Sequence, residues 1–315
     1  MFFIKLSMKL SVVTTLYKSK IFLEEFIAET QKAINKIDCE DYELIFVNDG
    51  SPDDSLKYLL EKKQEIHQIK LIDLSRNFGH HYAIQVGLDY AKGDYVFLID
   101  NDLETPPSIL VDFYNELLND RTLDVVYGYQ ESRKGNFIEK ITGNIFWTLI
   151  NKLSDTKIPH NILTERLMTK QYVESLLQLK DANVFLAGMM HWVGFNQKGI
   201  PVKKGQRKGA STYSLKRRAE LMLQAITSFS GKPLEWLFYF GLTISLCSTL
   251  FIVFLIVQKI IYQDDVQLGW TSIVALNVLI LGVLSTFLGI IGIYIYKIFR
   301  QAQGRPNAII KRKYE

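Results

Sequence analysis

The chain has 315 residues, 48% hydrophobic and 22% charged, the composition of a folded protein with ample length for a packed core. Its net charge of +4 is too mild to imply nucleic acid. The basic clusters, Lys203 to Arg218 and Lys297 to Lys313, flank apolar sequence, which suits anionic lipid head groups or phosphate ligands better than duplex DNA. Cys39 lies in polar sequence and Cys247 in a distant apolar run, so no disulfide is expected and a reducing cytoplasm fits. The five histidines show no metal-type spacing.

The opening MFFIKLSMKL has an apolar run too short for a secretory signal, and Met8 is a second possible start. Lys9–Thr15 reads as a short apolar strand and Phe22–Ile37 as a helix with Phe22, Phe26, Ile27 and Ile34 on one side. Tyr42–Val47 reads as a strand entering the turn Asn48-Asp49-Gly50-Ser51-Pro52, followed by a helix over Asp53–His67 and a strand over Ile69–Leu74. His80–Ala91 reads as a helix and Asp94–Ile99 as a strand. Strands alternating with helices of this length predict a mostly parallel α/β sheet, whose ligands sit beyond the carboxyl ends of the strands. Three polar motifs fall there: Asn48-Asp49-Gly50-Ser51, Ser75-Arg76-Asn77-Phe78-Gly79 and Asp100-Asn101-Asp102.

The C-terminal third changes character. Trp236–Val257 is a run of 22 residues without a charge, and a helix of that length spans roughly 33 Å, enough to cross the hydrocarbon core. A second uncharged run covers Leu268–Tyr296, and Trp236, Tyr239, Trp270, Tyr294 and Tyr296 sit near the ends where amphipathic rings favour the interface. The expected spans are about 236–257 and 270–296. Lys216, Arg217, Arg218 and Lys232 precede them and Lys297, Arg300, Arg305, Lys311, Arg312 and Lys313 follow, whereas Gln258–Gln267 holds one Lys against two Asp. This bias predicts a multi-pass protein of the inner membrane with both termini cytoplasmic. The expected organisation is a cytoplasmic domain over 1–230, a membrane hairpin over 231–298 and a basic cytoplasmic tail over 299–315. Amphipathic stretches at Ile145–Leu153 and Leu221–Phe229 suit an interfacial position or ordinary core packing.

Two carboxylates one residue apart at a strand end, Asp100 and Asp102, suit a hard divalent ion that takes its other ligands from phosphate oxygens and water. The plain alternative is an Asx turn leading into Pro106-Pro107. Asp49 reads both as a turn residue and as a carboxylate placed to accept hydrogen bonds from a nucleobase or ribose. Arg76, planar and charged at a strand end, is a plausible oxyanion clamp. Arg166 by itself reads as a helix surface charge.

These residues resemble the family-2 glycosyltransferases of GT-A fold, and among them the polyprenyl-phosphate, dolichol-phosphate-like enzymes with a C-terminal membrane hairpin. Asn48–Ser51 is similar to the family's DDGS turn, Leu74–Gly79 to its LSRNFG segment, and Ile99–Pro107 to its DADLQDPPE stretch. Arg166-Leu167-Met168 is similar to an RLM motif. Trp192–Phe195 and Arg207–Ser214 are similar to the acceptor side, Ile226–Ser230 to the junction with the membrane helices, and Gly304-Arg305-Pro306 to the tail.

The resemblance implies that Thr14, Tyr17 and Asp49 contact the nucleoside, that Arg76 faces the donor, and that Asp100 and Asp102 hold Mg²⁺ or Mn²⁺. It implies catalytic duties for Asp100, Asp102, Glu104 and Arg166, and acceptor-phosphate binding by Arg207, Lys208 and Ser211. It also implies inversion and a homo-oligomer, a tetramer. The chain departs from the pattern at Thr14-Thr15, where Val-Pro is usual, and at Glu104-Thr105 in place of Gln-Asp. Further departures are Ser211-Thr212-Tyr213 in place of Ser-Lys-Tyr and Ile293 in place of Glu. Glu104 therefore stands in for the missing aspartate in this reading.

The expected function is metal-dependent transfer of a sugar from a nucleotide-diphosphate sugar, a UDP-sugar by family association, to undecaprenyl phosphate. Alternatives are transfer to a lipid-linked saccharide or other surface glycan, or a non-catalytic membrane scaffold. Nucleic acid is not an expected partner.

Overall fold

In the computed structural model, which describes residues 8–131, 148, 152, 159–203, 205, 230–262 and 270–315, four parallel strands form the centre of an eight-stranded sheet. These are β1 (Lys9–Leu16), β2 (Asp41–Asn48), β3 (Ile69–Leu74) and β4 (Tyr95–Leu98), in the order β3-β2-β1-β4. They are joined by α1 (Lys20–Ile34), α2 (Ser55–Glu65) and α3 (His80–Asp89). All seven elements lie where the sequence predicts them, with ends shifted by up to three residues. β1 and β2 are buried on both faces, which is why they are nearly continuous apolar runs.

The rest of the domain adds α4 (Ile109–Asn119), β5 (Val125–Tyr129), β6 (Ile162–Thr169), α5 (Lys170–Leu177), α6 (Leu186–Trp192) and β7 (Gln197–Pro201). The full strand order is β7-β5-β6-β4-β1-β2-β3-β8, and the sheet is mostly parallel as expected, β7 running parallel to β5, with β6 and β8 as the two strands of opposite direction. β6 runs antiparallel to both β4 and β5, and the final strand, β8 (Ile310–Tyr314), runs antiparallel to β3. On one face, Leu23, Phe26, Leu59 and Phe113 of α1, α2 and α4 pack on Leu10, Leu16, Phe46 and Phe97. On the other, Ala83, Ile84, Tyr172 and Met189 of α3, α5 and α6 pack on Val13, Ile45 and Leu98. α3 sits close to the sheet because Gly87 faces it: a Cβ there would lie 2.5 Å from Val13 Cγ1.

Beyond the sheet come α7 (Lys232–Tyr262) and α8 (Trp270–Ala302), of 31 and 33 residues. Both carry exposed large apolar side chains, among them Phe238, Leu250, Phe254, Leu281, Leu288 and Phe299. Among the described residues one segment, Ile280–Ala302, is long and apolar enough to cross a membrane, 23 residues of mean hydropathy 1.8 with none of it buried. The expectation of two spans is thus met by one. The two helices meet where Phe240 and Phe287 pack edge to face, 5.9 Å between centroids, and where the Tyr294 hydroxyl donates to Ser230 O at 2.8 Å.

The expected basic tail over 299–315 is also corrected. α8 runs on to Ala302, Gly304 at φ +59° ends it with its N–H on Gln301 O, and Pro306 prevents its resumption. Ile310–Tyr314 then joins the sheet as β8, with Lys311 3.8 Å from Asp73 and the Lys313 ammonium 4.3 Å from the centre of the Tyr90 ring. The positive charges that marked the segment as a tail sit on an edge strand, where charged side chains are common. Ile145–Leu153 and Leu221–Phe229 lie mostly or wholly outside the described residues, and of the Gln258–Gln267 connection the described part, up to Tyr262, is the end of α7.

Candidate active site

The carboxyl ends of β1, β2, β3 and β4 and the amino end of α3 converge on one rim of the sheet. Asp100-Asn101-Asp102 leaves β4 there. Asn101, between the two acids, is buried and donates to Thr15 O at 2.8 Å, which ties this turn to β1 and leaves the flanking carboxylates half-buried at the rim. Asp102 Oδ1 accepts Glu104 N–H at 3.0 Å, the Asx turn that sequence offered as the plain alternative. Leu103 takes φ +59°, a left-handed conformation that a branched aliphatic residue rarely adopts, so the surrounding bonds hold this turn against local strain. Glu104 O accepts the Gly205 N–H at 2.7 Å, so the described chain reaches the acidic turn two residues before Arg207. Arg207, Lys208 and Ser211 themselves lie outside the described residues. Among the described residues no group of three or more His, Cys, Asp or Glu side chains is placed to hold a metal. Two rim carboxylates fit an ion that draws most of its ligands from a diphosphate and water, as Mg²⁺ does.

Asp49 is placed differently from the expectation of a nucleoside contact. Its side chain is turned into the protein, 3% exposed, and its two oxygens accept the N–H groups of Phe78 at 2.7 Å and Gly79 at 3.0 Å. It holds the loop between β3 and α3 against the turn after β2. Gly50 completes this contact: it has φ +61°, and a Cβ there would lie 2.5 Å from Asn77 N and 2.8 Å from Arg76 C. Asn48 lies beneath, its amide donating to Asp73 Oδ1 at 2.7 Å and its oxygen accepting Ser51 N–H. Arg76 stands exposed on this loop, its guanidinium 4.1 Å from the Phe78 ring centre and donating to Asn77 O.

Thr14 shares a face of β1 with Leu10, Val12 and Leu16 and is 2% exposed, its hydroxyl without a hydrogen-bond partner among the described residues. Thr15 points to the other face, and its hydroxyl bonds His80 Nδ1 at 2.9 Å. Tyr17, in the turn after β1, is 51% exposed with the Lys18 ammonium 5.7 Å from its ring centre. Arg166 is neither on a helix nor on the surface. It lies mid-strand in β6, opposite Leu98 and Tyr127, 1% exposed, and its guanidinium folds back onto Thr164 O and Leu163 O. Burial raises the Tyr172 hydroxyl nearby to about 12 against the opposing Arg166 charge, and burial together with that charge lowers His191 to about 4.

Sequence reasoning gave no role to two residues of this rim. His80, the first residue of α3, has Nε2 3.4 Å from Asp100 Oδ1 as well as its Thr15 bond. Burial lowers its pKa, opposed by the charges of Asp49, Glu165 and Asp102. Glu165, 1% exposed beside Arg166, is with Asp49 one of the buried carboxylates whose charge reaches His80. The available signals were a polar residue opening a helix right after a strand-end loop, and an acid adjoining the RLM motif.

Acidic, basic and hydroxyl groups on the carboxyl ends of parallel strands suit a phosphorylated ligand, and comparison with known proteins gives the family. The sequence profile of Glycosyl transferase family 2 matches residues 11–177. The chain is a family 2 glycosyltransferase. The uncharacterised glycosyltransferase YkcC of Bacillus subtilis (strain 168) is 34% identical over 306 residues, covering 96% of this chain and 94% of its own. The uncharacterised glycosyltransferase sll0501 of Synechocystis sp. (strain ATCC 27184 / PCC 6803 / Kazusa) is 34% identical over 310 residues, 97% and 95%. The prophage SfII bactoprenol glucosyl transferase of Shigella flexneri is 28% identical over 308 residues, 98% and 99%. In this family 2 glycosyltransferase the matched region takes in β1–β6 and α1–α5, hence Asp49, Arg76, His80, Asp100, Asp102 and Arg166, while Gly205, α6, β7, α7, α8 and β8 lie beyond it.

Proposed function

We propose that this enzyme transfers a sugar from a nucleotide-diphosphate sugar, a UDP-sugar, to a polyprenyl phosphate of the undecaprenyl class at the cytoplasmic face of the membrane. The observation that carries the reading is that the catalytic sheet and the apolar helix α8 are one piece, because β8, which follows α8, completes the sheet that carries Asp100 and Asp102. An active site built into a membrane-anchored domain suits an acceptor that is itself anchored. The bactoprenol glucosyl transferases of Shigella and its phages, similar over nearly their whole length, support the same acceptor class.

The connectivity also supports a two-pass hairpin. The strands before α7 and the strand after α8 share one sheet, so the chain leaves and returns on one side of the bilayer, which requires an even number of crossings. The pairing of Ser230 with Tyr294 and of Phe240 with Phe287 sets α7 antiparallel to α8, as a hairpin needs. The helices, about 46 and 50 Å long, exceed the ~30 Å core. Both termini then lie in the cytoplasm with the catalytic domain, and the exposed faces of the hairpin are available for lipid or for a homo-oligomer.

In the reaction an oxygen of the lipid phosphate attacks the anomeric carbon from the face opposite the leaving group, the new C–O bond forms, and the bond to the nucleoside diphosphate breaks with inversion. A phosphate monoester with a second pKa of about 6 is largely dianionic at neutral pH, so no strong base is needed. Asp100 and Asp102 are the residues that would hold Mg²⁺ or Mn²⁺, which when bound would supply positive charge to the diphosphate, and Glu104 supports their turn. Exposed Tyr17 offers a face to the base and Arg76 a guanidinium to the diphosphate; Thr14, Asp49 and Arg166 act from behind by shaping the walls. Arg207, Lys208 and Ser211 take the acceptor phosphate, on a segment that enters at the acidic turn through Gly205.

Purified protein is incubated with undecaprenyl phosphate and a panel of nucleotide sugars, with Mg²⁺ or with EDTA. The expected product is a monosaccharide on a polyprenyl monophosphate, formed with Mg²⁺ and lost with EDTA. An extended saccharide points to the lipid-linked glycan acceptor instead. Asp102→Ala is expected to stay folded and lose transfer, and full activity in that variant removes the site assignment.

A further inference from the structure

The backbone of residues 180–182, between α5 and α6, is gripped from two sides. From the membrane side, Gln301 in the last turn of α8 donates to Lys180 O at 2.9 Å and accepts Ala182 N–H at 2.8 Å, so both ends of one carboxamide are used. Asn307, five residues past the end of α8, gives one amide hydrogen to Asp181 O at 2.9 Å and the other to Gln85 Oε1 on α3 at 3.3 Å. From the catalytic side, the Tyr82 hydroxyl donates to Ala182 O at 3.0 Å. α3 is the helix whose first residue, His80, stands at the rim beside Asp100.

The connection holding these two carboxamides has no slack. Gly304 and Pro306 stop α8, Asn307 is bonded within the next turn, and Ser75 N–H already donates to Ile309 O at 2.9 Å where β8 begins. Gln301, Asn307 and Ile309 are therefore each hydrogen-bonded to the domain between the end of α8 and the sheet edge.

We infer that Gln301 and Asn307 are positioning residues: they form a rigid joint that sets the height and tilt of the catalytic rim over the bilayer, and so determine transfer to an acceptor whose phosphate is held at the membrane surface. The inference rests on the proposed lipid-phosphate acceptor. A soluble donor diffuses to the rim whatever the tilt, whereas the lipid phosphate has a fixed depth, and a misplacement of about 1 Å at the reacting atoms can cost on the order of 100-fold. Loss of the joint therefore separates two activities that share one donor site.

The test uses the full chain in nanodiscs containing undecaprenyl phosphate, with UDP-glucose or whichever donor of the panel the unaltered enzyme uses. Gln301→Leu with Asn307→Leu, and the milder Asn307→Ala, which leaves the Gln301 bonds and β8 in place, are compared with the unaltered enzyme. Transfer to the lipid is expected to fall roughly tenfold or more in kcat, the range that sub-ångström misplacement gives. Donor KM and the slow hydrolysis of donor by water should stay within about twofold, since the donor rim is untouched. Hydrogen exchange at the Ala182 amide should accelerate in the double variant. Transfer and hydrolysis falling together would mean the two side chains only support the fold, and unchanged transfer with exposed Ala182 would mean the joint has no say; either overturns the inference. If the unaltered enzyme puts no sugar on undecaprenyl phosphate, the functional reading fails first and the inference goes with it.

Discussion

Asp49→Asn separates two roles that one carboxylate can play. If Asp49 serves the nucleoside, the substitution raises donor KM and leaves the fold alone. The geometry says otherwise. Both oxygens accept backbone N–H groups, from Phe78 and Gly79, at a site only 3% exposed. A hydrogen bond to a charged partner contributes about 1.5–3 kcal/mol, and a buried donor left without a partner costs about 1–3 kcal/mol. Asparagine keeps one oxygen, so one such bond is lost and its NH₂ is turned toward a backbone N–H that needs an acceptor. Removing a buried charge recovers part of its desolvation penalty, which puts the net loss near 2–3 kcal/mol. In a domain of this size each kcal/mol is worth roughly 2–4 °C, so a fall of about 4–12 °C in Tm is expected in detergent, followed by tryptophan fluorescence. Donor KM rises as well, because Arg76 rides on the loop that Asp49 holds. A Tm within about 1 °C of the unaltered protein, with KM raised, refutes the staple and restores the nucleoside contact.

Gly50→Ala tests the same contact from the other side. The left-handed φ costs roughly 1–2 kcal/mol for a residue with a Cβ, and the 2.5 Å approach to Asn77 N pushes the Arg76 loop outward, so both Tm and donor affinity should drop. At the opposite end of the sheet, Glu43 accepts from Ser11 Oγ and Lys92 N–H and pairs with Lys70. Burial opposes its ionisation, but these bonds outweigh burial and hold the carboxyl below the ordinary glutamate range. Its stabilisation is thus complete above that range and is lost as pH falls through the lower folded value. Glu43→Gln should flatten the acid side of a Tm-against-pH curve and lower Tm at pH 7, and an acid limb of unchanged steepness would count against it. Ending the chain after Pro306 removes β8 and bares the β3 edge with Asp73. Light scattering should then report larger aggregates than the full chain forms, whereas a fully active truncation with the full chain's assembly size would show β8 to be dispensable.

Much of this protein is legible in one dimension because its signals are local. Alternating apolar strands and helices placed the first seven elements, since periodicity is a property of neighbouring residues. Asp100 and Asp102 are legible as candidates because a strand with almost no polar residue ends on them. The burial of Asp49 and Arg166 was not findable. A carboxylate in an Asn-Asp-Gly-Ser turn looks the same whether it faces solvent or the Phe78 and Gly79 amides, and that choice depends on a loop 29 residues away. Arg166 looked like a surface charge because nothing in its own segment shows that β6 is inserted between β4 and β5.

The C-terminus shows the same division most clearly. Composition alone determined that the last third holds long, uncharged, helix-length runs bounded by positive charge. It could not say that the charged end beyond them is a strand, because Ile310–Tyr314 has no partner within reach along the chain. Its partner, β3, lies more than 230 residues earlier, and only the closed tertiary structure brings them together. Short-range pattern fixes the type of each element; which edges meet, and which polar groups are thereby buried, follows from the packing of the whole chain.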